Sequence, residues 1–480
     1  MTYQTVSKFF DLNQPKHCNT QTRKKPVEDI LWAVFAVIGA IMILVFVHEM
    51  GHFLFAKFFK MRVDKFSVGF PPKIVGKKIG ETEYVIGATP LGGYVKIAGM
   101  VDESMDTDFA KTEPQPWEFR AKPVWQRILV ICAGVTFNII LAAVIFIGLK
   151  YIYGNAGPVA TDDGSVFVAD SSVAYQMGLR TGDRVLSISG QAFDPYGGTR
   201  TLDALMADEL TIEVERNGER RVFQGPDDIM TQLTRAGSLG LSSVPSLVGE
   251  VIEGMPAEVA GLKAGDLIVA IDSQSVQFWA QMTRLIQNSE GRALDVVWIR
   301  PETPAEQPGD TPGALPRLAG GERFEVSITP KQQNDRYVIG VGQAVRFETF
   351  SFGQAFVGGI EDTWINTKTI AINLKRIFTG RENLRENLGG PVMVAKIAGQ
   401  AAQAGPFSFW SIVALLSITL AIINILPIPA LDGGHLVFLI YEGITRREPS
   451  IKVRMWTQQI GMVLLLTLMV FLVINDILRL

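Results

Sequence analysis

The chain has 480 residues and a formal net charge of −3, with 48% hydrophobic and only 19% charged residues. That length admits several domains, and the slight negative balance argues for no nucleic-acid partner. Two cysteines, Cys18 and Cys132, cannot build a disulfide framework, and Cys132 lies in an apolar run where a small hydrophobe suffices.

Residues 1–29 are polar and aperiodic and read as an N-terminal tail. A first transmembrane helix is expected over 30–59, because the 18 residues from Ile30 to Val47 carry no charge and suffice for a span. Arg23, Lys24 and Lys25 precede it as a signal's basic region would. The apolar run is too long for a signal core and no small-residue cleavage site follows, so the span reads as retained. At its far end stands His48-Glu49-Met50-Gly51-His52. On a helix this spacing puts two imidazoles on one face, as zinc requires, with Glu49 placed to act as a general base. Ionisable groups at membrane depth are costly and point to function; the bland alternative is a buried histidine pair bonded to backbone.

Residues 60–127 form the next segment, in which Phe66 to Ile97 alternates apolar and polar positions, with turns at Gly76–Gly80 and Gly92-Gly93. This pattern predicts β-hairpins, soluble and cytoplasmic on the plain reading. A second span covers 128–153, interrupted by Gly134, Thr136 and Asn138, and Asn138 reads best as a helix–helix hydrogen bonder. An internal repeat follows. Gly178-Leu-Arg-Thr-Gly182-Asp183 matches Gly261-Leu-Lys-Ala-Gly265-Asp266, and each block leads into a β-branched run resembling a PDZ domain. Gly240-Leu241 and Gly340-Val341 serve as matching closing strands, giving copies over 157–244 and 245–346, with a proline- and glycine-rich loop from Pro301 to Gly321. Such units either capture a strand or chain end or act as a size filter; with no clear G-L-G-F loop the filter is favoured. Residues 350–380 predict an amphipathic helix that either lies on the membrane surface or packs under the PDZ pair. Third and fourth transmembrane helices are expected over 407–432 and 457–478.

Basic residues set the orientation. Lys57, Lys60, Arg62, Lys65, Arg120, Lys122 and Arg127 flank the first connection, and Arg446, Arg447, Lys452 and Arg454 the last. The positive-inside rule makes both cytoplasmic, so the repeat and both termini face outward. His48 then lies about 27 Å into its span. The third span ends in Asn424-Ile-Leu-Pro427-Ile-Pro429-Ala-Leu-Asp432-Gly-Gly, near the same edge of the bilayer. Asp432 is therefore a candidate third ligand, leaving one zinc position open; the alternatives are a helix cap after the prolines, or His435 as the ligand instead. Asn424 can bond the substrate backbone or the developing oxyanion, or tie helices together.

H-E-x-x-H in the first span with N-x-x-P-x-P-x-L-D-G in the third resembles the site-2 intramembrane metalloproteases. Phe66-Ser-Val-Gly69-Phe70 and Pro90-Leu-Gly-Gly-Tyr-Val-Lys96 are similar to that family too, in the branch of regulator-of-sigma-E type with two PDZ domains. The resemblance implies a multi-span α-helical membrane protein with four transmembrane helices, a membrane-associated β-hairpin region and two inserted β-rich PDZ domains. It implies Zn2+ held by His48, His52 and Asp432, Glu49 as the catalytic residue, and substrate contacts from Asn424, Pro427, Pro429, Gly69 and Phe70. It implies a bacterial inner-membrane endopeptidase of regulated intramembrane proteolysis. Its substrates would be single-span proteins of anti-sigma-factor type and remnant signal peptides, trimmed first by an upstream periplasmic protease. The competing reading is a non-enzymatic membrane adaptor with a structural metal.

Overall fold

Among the described residues, four helices are long and apolar enough to cross a membrane: Val37–Phe58, Val124–Tyr153, Pro406–Ile425 and Ile451–Leu478. The computed structural model describes residues 26–479 except 101–112, 162, 196–203, 206, 208, 237, 302–320, 334–335 and 382–388. Most of the expected N-terminal tail and of the Pro301–Gly321 loop therefore lies outside the described residues.

Helix α1 (Pro26–Phe58) carries the first span. It stops where Lys60 turns left-handed at φ 56° and the Met61 N–H donates back to the Ala56 carbonyl. Two long antiparallel strands follow, β1 (Val63–Ile79) and β2 (Thr82–Ile97). Each strand bends, so that Phe66–Val68 lies between Gly93–Val95 and Tyr84–Ile86 in a curled sheet. An aromatic seam docks this sheet on α1: Phe66 packs against Phe46 and Phe53, and Tyr84 against Phe53. Its far tip bears exposed Ile74, Val75 and Ile79 among Lys73, Lys77 and Lys78. That mixture suits a membrane interface better than open water.

The second span, α2 (Val124–Tyr153), begins at Pro123 and is ended by Gly154 at φ 67°. Beyond it the chain builds two β units of matching topology. After β3 (Asn155–Pro158) and β4 (Phe167–Val168), the first unit contains α3 (Val173–Met177), β5 (Arg184–Ile188), β6 (Gln191–Ala192), β7 (Thr211–Arg216), β8 (Glu219–Gln224), α4 (Ile229–Ala236) and β9 (Leu241–Ser242). The second contains β10 (Val248–Val251), α5 (Pro256–Val259), β11 (Leu267–Ile271), β12 (Gln274–Ser275), α6 (Trp279–Asn288), β13 (Leu294–Arg300), β14 (Glu322–Ile328), β15 (Lys331–Gln333), β16 (Arg336–Val338) and β17 (Val341–Gln343). Their sheets have the orders β6-β5-β7-β8 and β12-β11-β13-β14. Equivalent residues fill the two cores: Ala174, Leu179, Val185 and Ile188 in one, Ala257, Leu262, Ile268 and Ile271 in the other.

The repeated aspartate has a physical reason. Asp183 is buried, takes two hydrogen bonds from Arg216 (2.6 and 2.8 Å) and one from the Arg180 N–H. Asp266 does the same with Arg300 (both 2.8 Å) and the Lys263 N–H. Each carboxylate, by its hydrogen bond, holds its guanidinium pKa above the ordinary value. Strand β18 (Val345–Glu348) returns to pair with β3, clipping both ends of the β pair together beside the end of α2. This ribbon is not apparent from the repeat.

Helix α7 (Phe352–Phe378) opens with a capping box at Ser351 and Gln354. It lies against α2, with Gly359 on the Ile147 backbone and Asp362 paired to Lys150 at 2.9 Å, and Arg376 donates to the Ala207 carbonyl of the first β unit. Phe352, Phe356, Val357, Ile360 and Trp364 stay exposed, so its apolar face points outward as a lipid-contacting helix requires. A further helix, α8 (Pro391–Ala404), which the Ala-rich composition does not announce, leads into α9 (Pro406–Ile425). The expected helix 407–432 is in fact divided: Pro427 and Pro429 lack N–H donors, so α9 ends at Ile425 and α10 (Asp432–Thr445) starts separately. The last span is α11 (Ile451–Arg479).

Candidate active site

The site lies where α1, α2 and the start of α10 converge. His48 and His52 stand one turn apart on α1, both buried, with their Nε2 atoms 3.2 Å apart. Asp432 Oδ2 lies 3.1 Å from His48 Nε2 and 3.4 Å from His52 Nε2. Among the described residues, these three form a group whose ligand atoms all fall within 4.8 Å of one another.

Neighbours on α2 aim the rings. His52 Nδ1–H donates to the Val130 carbonyl at 2.8 Å, which leaves the Nε2 lone pair turned toward Asp432. His48 Nδ1 lies 3.3 Å from the Asn138 amide nitrogen. If His48 Nε2 serves as a ligand, its Nδ1 carries the proton and needs an acceptor. The buried Asn138 Oδ1, which has no other partner, supplies one when the amide is turned over. Ser417 of α9 bonds the Asn138 carbonyl at 2.7 Å and holds this stretch of α2 in place.

Space is set as closely as direction. A Cβ on Gly134 would lie 2.4 Å from His52 Nε2 and 2.7 Å from His48 Cε1. A Cβ on Gly51 would lie 2.5 Å from the Ala133 carbonyl oxygen. Only hydrogen at both positions lets α1 and α2 approach this closely.

The set fits zinc. Asp432 Oδ2 is buried without a hydrogen-bond donor and faces two imidazole nitrogens, and the His52 proton is held away on the Val130 carbonyl. Two imidazole nitrogens and a carboxylate oxygen converging this closely suit a cation. Two histidines and a carboxylate are the donors that leave one catalytic zinc position open.

A cavity of about 540 Å3 opens onto this cluster. Glu49, Asn424, Phe70, His435 and the β2 edge from Gly92 to Ile97 line it together with the three donors. Asn424 Nδ2 is 3.4 Å from His48 Nε2, and Phe70 stacks on Tyr94 at 6.5 Å. The remaining expected substrate contacts do not line this cavity. Gly69 is buried at φ 92° against Gly87, Pro427 follows the end of α9, and Pro429 borders a neighbouring cavity of about 170 Å3. His435 borders both cavities but stands outside the three-residue donor group.

Sequence reasoning missed Asn138 and Gly134 as parts of the site. The available signal was an amide and a glycine four residues apart in an apolar span, and only the partner across α1 gives them meaning.

The profile of peptidase family M50 matches residues 36–468. The chain belongs to that family. It is 32% identical to the regulator of sigma-E protease of Escherichia coli K12 over 94% of this chain and 99% of the relative. The regulator of sigma E protease of Haemophilus influenzae is 31% identical over the same shares, 94% and 99%. A relative from Neisseria meningitidis named as a zinc metalloprotease is 30% identical over 93% and 99%. This M50 protein is accordingly a zinc metalloprotease and an integral membrane protein, and His48, His52 and Asp432 are suited to hold its metal.

Proposed function

We propose that this M50 protease hydrolyses a peptide bond inside the transmembrane segment of single-span membrane proteins, using His48, His52 and Asp432 as metal ligands and Glu49 as general base. The observation that carries the reading is the donor cluster on a membrane span, opening into a cavity edged by a β-strand. Zinc, when bound, polarises the scissile carbonyl and acidifies a water. Glu49 accepts the proton of the attacking water and returns it to the leaving amine. The Asn424 amide donates to the carbonyl oxygen as charge develops there. A helical substrate hides its carbonyls in i to i−4 bonds and must unwind; the Gly92–Ile97 edge takes up its freed backbone groups by strand addition.

The two β units act as PDZ domains that admit only trimmed substrates. Basic residues at both short connections support a bacterial inner membrane placement with the β units and termini in the periplasm and the site toward the cytoplasmic face. The names of the regulator-of-sigma-E relatives support a membrane-bound anti-sigma factor as substrate, in an envelope stress response, after an upstream periplasmic cut. Remnant signal peptides have the same single-span chemistry. A non-enzymatic adaptor, the competing reading, gives way to family membership and to a donor group of three where a closed structural zinc takes four.

Glu49→Gln is the test. The variant should hold one zinc and leave a single-span reporter uncut; undiminished cleavage would overturn the mechanism. Deleting both β units should admit untrimmed reporters, and their continued exclusion would remove the filter.

A further inference from the structure

The fourth span supplies no side chain to the main cavity, yet it touches the loop that carries Asp432. Along α11 the buried residues are Gln458, Gly461, Asn475 and Asp476, and no residue between Gly461 and Asn475 is buried. Val463, Leu464, Leu466, Met469 and Val470 are exposed. The helix is thus seated at two places, 15 residues or about 22 Å apart along its axis.

At the inner seat Gly461 lies on Pro429. A Cβ there would stand 2.2 Å from the Pro429 carbonyl oxygen and 2.4 Å from its carbon, so any side chain must push the loop or the helix away. Pro429 is three residues before Asp432, and the link between them has little slack. Ala430 is left-handed at φ 73°, the Leu431 N–H donates to Ile428, and the Gly434 N–H donates to Leu431. Gly433 rests on the Leu426 carbonyl, where a Cβ would be at 2.0 Å. A displacement at Pro429 is therefore passed to the Asp432 carboxylate.

At the outer seat Asp476 is fully buried and accepts from the Gly390 and Met393 N–H groups, both at 2.9 Å. It thereby caps the N-terminus of α8 and pins α11 there.

We propose that α11 is a strut that positions the metal-ligating carboxylate, with Gly461 as the positioning residue and the Asp476 cap as its remote anchor. The proposal rests on the reading of Asp432 as a zinc ligand. Asp476 acts on the site only through the helix, since it borders neither cavity there.

The experiment uses the purified full-length protein and measures zinc affinity by chelator competition, alongside thermal unfolding of the zinc-free form. Gly461→Ala, Gly461→Val and Gly461→Leu should weaken zinc binding stepwise with bulk, reaching about 10–100-fold, the range seen when groups supporting metal ligands are lost. Asp476→Ala should weaken it in the same direction from the far seat, with Asp476→Asn, which keeps one acceptor, between it and the parent. Zinc-free unfolding should move far less than zinc affinity for Gly461→Ala and Gly461→Val. An unmoved affinity in Gly461→Val, or affinity and zinc-free unfolding falling in step across the series, overturns the strut. A parent that holds no zinc overturns the metal reading first and the strut with it.

Discussion

Asp183 and Asp266 in the β units and Asp432 in the helical bundle are treated in opposite ways, while two other buried bundle carboxylates, Glu442 and Asp476, are hydrogen-bonded as those of the β units are. Asp183 and Asp266 sit in the β units with three hydrogen bonds each, two of them from an arginine. Asp432 sits in the bundle with Oδ2 lacking any donor and facing two imidazole nitrogens. The first arrangement is closed and can only stabilise. The second leaves a buried carboxylate oxygen with no donor, and such a group persists where something else is to be bound. Among the described residues, the buried carboxylate oxygen that lacks a donor is the one at the site.

The widest separation between the two should come from Gly134→Val. A side chain there overlaps both histidine rings, so zinc binding and proteolysis should be lost together, to below 1% of the parent, while the β units keep their unfolding temperature. Metal analysis beside calorimetry checks it, and retained zinc would mean that α2 does not crowd the rings. Asp183→Ala is the converse. It leaves the part-exposed Arg216 on the Gly178 carbonyl without its anion and strips the Arg180 N–H of its acceptor, and should cost the first β unit about 1.5–3 kcal/mol. Zinc content should be unchanged, and a reporter lacking its outer domain should still be cut.

What the sequence disclosed follows the same division. H-E-x-x-H was legible because helical periodicity alone puts two rings on one face, and Asp432 because its motif ends a span at a matching depth. The G-L-x-x-G-D repeat was legible as local spacing. Its explanation was not, since Arg216 and Arg300 lie 33 and 34 positions downstream and meet the aspartates only across the sheet. Asn138 read as an interhelical hydrogen bonder, which its side chain is; that its partner is the His48 ring depends on the rotation of α2 against α1. Helix α8 escaped notice because its apolar residues merge with the span beside it, whereas Pro427 and Pro429 already marked where α9 must end and left a helix after them open. The β3–β18 ribbon joins residues nearly 190 positions apart, which no local pattern records.

Asn138→Ala tests the comparison at finer scale. It removes the acceptor for His48 Nδ1 without adding bulk, so the ring loses its orientation but stays in place. Zinc affinity should fall about 10-fold, the lower end for lost support of a ligating histidine, and added zinc should restore cleavage. An Asn138→Asp variant keeps an acceptor and should bind zinc at least as well as Asn138→Ala.

The smallest effect is expected at the joint between the β units, where a polar contact is neither buried nor unsatisfied. Arg284 of α6 pairs with Asp170 of the first unit and lies 5.8 Å over the Phe167 ring. The two side chains remain 47% and 71% exposed, so water screens the pair and its contribution should not exceed about 1 kcal/mol. Phe167 and Phe278, whose rings lie 6.4 Å apart across the same joint, are both buried and should hold the units together without it. Arg284→Ala should therefore lower the unfolding temperature of the β pair slightly at low salt and not at 1 M salt, where charges are screened within about 3 Å. Asp183→Ala should lose the same stability at both. A salt-independent loss at Arg284 would place it with the closed, buried pairs and move the joint into the scaffold.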